Sequence, residues 1–212
     1  MAVAGRTTFD MLDIDPNLLN LALGCLFILV FGGMGYLRRE GLSVQFALEA
    51  VGVTGVLVGG SGLLGMPISP ILLLVILYLI TMRSRLIADV ANLFAKRGNY
   101  KLAFRLYRLG QTWWPDDASR LVVQTNKGAA QLHCGQVEEA IATFQGVLES
   151  EKRSSLGIKY EAACHYNLGY AYERSGRDAQ AVAQYNEAID AMPGSVYGKA
   201  AAAALRRRKG KL

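Results

Sequence analysis

Residues Tyr166–Pro193, YNLGYAYERSGRDAQAVAQYNEAIDAMP, read as one helical hairpin. Leu168, Gly169 and Tyr172 fall on one side of a first helix, because residues three and four apart share a helical face. Gly176 interrupts that helix. Ala181, Tyr185 and Ala188 recur at helical spacing on a second helix, and Pro193 stops it. One hairpin cannot bury its own apolar side, so neighbours of the same kind are expected.

Two neighbours lie upstream. Gly98, Gly135 and Gly176 occupy one turn position, 37 and 41 residues apart. Ala103, Ala140 and Ala181 share a site in the second helix, followed by Tyr107, Phe144 and Tyr185. The motif Leu168-Gly169-x2-Tyr172, Ala181-x3-Tyr185, Pro193 resembles the tetratricopeptide repeat (TPR), a unit of about 34 residues. The resemblance covers about half of the chain. It implies an all-α fold with three repeats at about 84–117, 121–154 and 162–195, closed by a cap helix at 196–209. The first repeat carries Ile87, Val90, Ala91 and Phe94, then Gly110 and Pro115. The second has Gly128, but Lys127 where leucine is usual and Gln131 in place of the aromatic. The inserted SSLGIKYEA, 154–162, is expected to lengthen the adjoining helices by a turn.

The N-terminal part is of a different composition. Apolar residues make up 52% of the chain, yet residues 17–82 hold only four charges, Arg38, Arg39, Glu40 and Glu49. Residues 83–212 hold 20 basic and 12 acidic residues. The first block reads as a membrane anchor and the second as a helical domain exposed to water. Spans are expected at about 17–37, 42–64 and 67–82, the last two separated by the helix-breaking Gly65-Met66-Pro67-Ile68-Ser69-Pro70. A cleavable signal peptide competes for the first span. It wants a basic leader, whereas the first 16 residues carry Asp10, Asp13 and Asp15 against Arg6. With three spans, Arg38-Arg39 and Arg83/Arg85 share a side, and the positive-inside rule makes it the cytoplasm. The expectation is therefore a multi-pass cell-membrane protein with its N-terminus outside and its repeat domain in the cytoplasm. No Gly or Pro interrupts 71–97, so span three is expected to continue into the first repeat helix as one rod.

Within span two, Gly52, Gly55, Gly59 and Gly62 lie within about 80° of arc. Such a stripe lets helix backbones approach closely, either spans one and three of the same chain or a partner's transmembrane helix. Glu49 sits beside it, with snorkelling to the interface and pairing with a partner's cation as the two readings.

Catalytic chemistry finds no constellation. His133-Cys134 and Cys164-His165 fall on opposite ends of successive repeat helices, about 16 Å apart along the axis, which disfavours a shared zinc ion. Cys25, Cys134 and Cys164 have no CxxC spacing, so no disulfide framework is expected. No cofactor motif is present, and the chain is read as a non-enzyme. The TPR resemblance implies a groove lined by the first helices. That frame places Asn92 and Lys96, then His133, then Tyr166, Tyr170 and Arg174 in it, for a protein or peptide partner.

Net charge is +6. Arg83–Arg108 holds seven basic residues and one acid, Asp89. Arg83 and Arg85, with Arg206, Arg207, Arg208 and Lys209 of the tail, are candidates for anionic lipid headgroups. No aromatic is interleaved with the basic tail 206–211, which disfavours nucleic acid. The functional expectation is a membrane-anchored scaffold that assists a membrane complex. The alternative is an integral subunit of such a complex, held through its transmembrane helices. A third reading, an enzyme or transporter, rests on Glu49 alone.

Overall fold

A computed structural model describes residues 15–40 and 43–209, the last by its backbone alone. Arg6, Asp10, Asp13, the expected start of span two at Leu42 and the side chain of Lys209 lie outside the described residues. Among these residues there are ten α-helices and no strand. They form two compact units, one of residues up to 34 with 44–81, the other of 35–43 with 82 onward.

In the first unit α1 (Pro16–Leu37) and α2 (Val44–Leu64) run antiparallel. Phe27 stacks on Phe46 at 5.9 Å, and Ser61 Oγ donates to Asn17 Oδ1 at 2.7 Å. Their 22 and 21 residues make both long and apolar enough to cross a hydrocarbon core of about 30 Å. The third helix, α3 (Pro70–Thr81), returns beside α1, with Tyr78 6.0 Å from Phe31. It has 12 residues, about 18 Å, and so is shorter than the expected 67–82 span. Buried Asn20 donates to the Ile68 carbonyl at 2.9 Å, which ties the 65–69 turn to α1 and delays the helix to Pro70.

Two expectations fail here. The buried face of α2 is Phe46, Ala50, Thr54, Val58 and Ser61. A β-carbon at Gly52, Gly55, Gly59 or Gly62 would meet no heavy atom within 4 Å. The stripe therefore does not pack against α1 and α3, because the larger Phe46 and Val58 side chains claim that face. The rod from α3 is also broken, at Met82 (φ −100°, ψ 9°). Thr81 Oγ1 bonds back to the Leu77 carbonyl at 2.7 Å, a contact that bends helices. Arg83 is drawn to the carbonyls of Trp113 and Trp114.

The second unit is a stack of hairpins. The pairs are α4 (Arg83–Lys96) with α5 (Tyr100–Thr112), α6 (Asp117–His133) with α7 (Val137–Leu148), and α8 (Ile158–Arg174) with α9 (Asp178–Ala191). The last helix, α10 (Val196–Lys209), packs on α9 and α8. Gly98, Gly135 and Gly176 make the tight turns at φ 78°, 90° and 76°, values that L side chains resist. Tyr107, Phe144 and Tyr185 of the second helices are fully buried. At Gly169 a β-carbon would stand 2.9 Å from Tyr185 Cδ1, so the ring closes on bare backbone. Gln131, in the place of an aromatic, is buried and accepts from Thr143 Oγ1 at 2.8 Å. The insert lengthens α8 alone, whose first turn begins at Ile158. The chain after Leu148 instead forms a turn and a 3-10 segment, Arg153–Ser155.

Candidate partner-binding surface of the repeat unit

The first helices of the hairpins, α4, α6 and α8, lie side by side, so their corresponding turns form one surface. Its two ends differ. Toward the helix N-termini, Ala88, Val122, Thr125 and Ala163 are all buried. The stretch from Arg38 to Glu40, which follows α1 in sequence, covers this end. Ile158 N donates to the Arg38 carbonyl at 3.4 Å. Arg85 on α4 pairs with Glu40 at 2.7 Å, and its Nε reaches Ser119 Oγ on α6 at 3.2 Å. Glu40 is 9% exposed. Gly157 stands at φ 80°, and a β-carbon there would come within 2.7 Å of Glu40 Cγ, so only glycine leaves room for the loop.

The electrostatics follow from this packing. Burial works against the Arg85 charge, and the Glu40 carboxylate outweighs it, leaving the guanidinium pKa raised. Burial also raises the Tyr160 hydroxyl, with Arg85 opposing. Arg85, expected at an anionic surface, is instead turned inward as the clasp of the loop. A lone acid after Arg38-Arg39 reads as ordinary loop charge, so Glu40 carries no sequence signal of this role.

Toward the C-termini the surface is open. Lys96, His133 and Arg174 occupy the last turns of α4, α6 and α8, and all three are exposed. Lys96 and Arg174 also complement the partial negative charge of helix C-termini. Arg174 Nη1 donates to the Leu132 carbonyl at 2.7 Å, which fixes its stem beside His133. Tyr170 is 40% exposed. Two other expected groove residues are engaged within the fold. Asn92 Oδ1 accepts from the Tyr107 hydroxyl at 2.5 Å. Tyr166 lies between Tyr185 and Tyr197, at 5.9 and 6.0 Å, and so packs on α9 and α10. Burial, followed by the 2.6 Å hydrogen bond to Glu173, raises the Tyr185 hydroxyl pKa.

The remaining candidates scatter. Arg208 bonds Asp178 and lies 3.7 Å from Glu173, fastening α10 to its neighbours. Arg206 and Arg207 are exposed. Glu49 on α2 accepts from Gln45 Nε2 at 2.9 Å. His165 is buried, with Nδ1 2.8 Å from Gln184 Oε1. Burial pushes the neighbouring Cys164 thiol up.

Comparison with known families matches residues 119–193 to the tetratricopeptide repeat, that is, the second and third hairpins. No curated protein matches the chain. Repeats of this type generally mediate protein–protein interaction or scaffolding.

Proposed function

We propose that this protein is a membrane-anchored TPR scaffold whose open groove end, at Lys96, His133, Tyr170 and Arg174, takes an acidic segment of a partner protein. The observation that carries this reading is the split surface. The loop from Arg38 to Glu40 closes one end of the groove, and the exposed end presents basic residues around a large aromatic. Tyrosine and arginine are the residue types that anchor protein interfaces, and carboxylates are their natural complement. Two helices apolar enough to cross a membrane support the anchoring, and with α3 as a third crossing the repeat unit shares the cytoplasmic side with Arg38 and Arg39. Binding, not catalysis, is the activity of this surface.

Gentle detergent extraction of the full chain, followed by identification of co-purifying proteins, tests the reading. The paired variant Tyr170→Ala, Arg174→Ala is expected to lower partner recovery at least about tenfold. Unchanged recovery with the variant folded sinks it. A second reading, an integral subunit held through α2, is favoured by the open glycine stripe alone. In that case Gly55→Leu with Gly59→Leu abolishes association and the groove variant does not.

A further inference from the structure

The chain between α5 and α6 contains the only two tryptophans of the protein, Trp113 and Trp114. Both are exposed, at 57% and 79%. Trp114 stands at φ 51°, a left-handed conformation that a bulky side chain resists, and it precedes Pro115, which disfavours helical backbone still further. Glycine or asparagine suits such a position. Pro115 and Ala118 just beyond are buried, so the backbone of the turn is fixed while its two indoles stand outward. Strain that holds the two largest apolar side chains in water is a feature to explain by what they meet.

Two further observations identify the surface. Arg83 Nε donates to the Trp113 carbonyl at 3.0 Å, and its Nη2 donates to the Trp114 carbonyl. The peptide carbonyls of the turn are thereby bonded to the protein itself and lose little on leaving water. Exposed Lys101, Arg105 and Arg108 run along α5 toward the pair at helical spacing, and Leu109 beside them is 44% exposed. A basic stripe that ends in two indoles matches the chemistry of a bilayer interface, with anionic headgroups above and the aromatic belt below. Arg83 also follows the end of the apolar α3, Thr81, by two residues in sequence.

We propose that the Trp113–Trp114 turn is a membrane-interface anchor of the repeat unit, which inserts both indoles at headgroup depth into an anionic bilayer while Arg83 holds the turn closed. This rests on the membrane reading of the protein and adds a second, peripheral attachment. It assigns Arg83 a positioning role for the indoles, with Arg105 and Arg108 as the headgroup contacts.

Because the chain has no other tryptophan, its indole emission reports this turn alone. The test reconstitutes the full chain into vesicles of phosphatidylcholine and phosphatidylglycerol with brominated or unbrominated acyl chains, and checks insertion by flotation. The expected result is blue-shifted emission that falls by about half or more with brominated chains, since indoles of the aromatic belt lie within reach of them. Acrylamide should quench it several-fold less than in the urea-unfolded chain. Trp113→Phe and Trp114→Phe each retain part of the loss, and Arg83→Ala reduces it. A chain that floats with the vesicles but emits as red as the unfolded protein overturns this inference and leaves the membrane reading standing. A chain that does not float overturns both. Emission that turns blue only in native membranes assigns the pair to a protein partner and also overturns the inference.

Discussion

Replacing Arg85 by methionine tests whether the loop from Arg38 to Glu40 is a working part of the repeat unit. The arginine side chain is 21% exposed and that of Glu40 is 8%, so the pair is largely withdrawn from water. Methionine keeps much of the stem's volume but leaves the Glu40 carboxylate buried beside Gly157 without its cation, and it strips Ser119 of its donor. Breaking a buried pair from one side costs about 3 kcal/mol at the lower end of the range. For a domain of this size that is a loss of roughly 10 °C in midpoint. Glu40→Gln keeps the shape and one hydrogen bond to Arg85, so it costs about 1 kcal/mol. The double variant removes both charges, and its cost should be about 2 kcal/mol, short of the sum by about 2 kcal/mol. Urea unfolding of the full chain in mild detergent, followed by tryptophan emission, measures all three, since both indoles lie in the repeat unit. If Arg85→Met unfolds within about 0.5 kcal/mol of the parent, or if the two single effects simply add, the loop is only resting on the surface.

Two further outcomes follow from the hairpin cores. Gly169→Val should destabilise by about 1–3 kcal/mol, because its β-carbon would press within 2.9 Å of Tyr185 Cδ1 and 3.2 Å of the Ala181 carbonyl. A urea midpoint equal to the parent's would contradict the close approach. Burial raises the Tyr107 hydroxyl pKa to about 12. The folded form therefore keeps its proton where the unfolded chain, with a pKa of about 10, loses it. That stability is complete below about pH 10 and fades as pH rises through about 12, so urea midpoints should fall between pH 9 and pH 11.5. Tyr107→Phe should be less stable at pH 9, having lost the bond to Asn92, and should show a smaller alkaline decline. A decline as steep as the parent's places the titrating group elsewhere.

Much of this protein is legible in its sequence, for local reasons. The turn glycines at 98, 135 and 176 announce the hairpins because few other residues tolerate their backbone. The rings at 107, 144 and 185 announce the cores, since only a helical period places each of them opposite a small residue. The apolar stretches of α1 and α2 announce themselves by length and scarcity of charge. What was not legible depends on residues distant in sequence. Nothing near Glu40 says that Arg85, 45 residues on, will clasp it, or that Gly157 will leave space for it. Nothing near Gly55 says that Phe46 and Val58 will take the inner face of α2.

The groove shows the same division. Position in the repeat brought Lys96, His133, Tyr170 and Arg174 to the first helices, and those remain exposed. The frame could not tell that Tyr166 would be shared between α9 and α10, or Asn92 taken by Tyr107, because a repeat pattern describes one hairpin and those contacts depend on its neighbours. The sequence by itself determined the hairpins and the apolar helices, since these follow from spacing along the chain and from burial of one face. Tertiary structure alone decided which end of the groove is closed and where the two indoles stand. Both depend on pairs of charges and carbonyls that come together only when the helices pack.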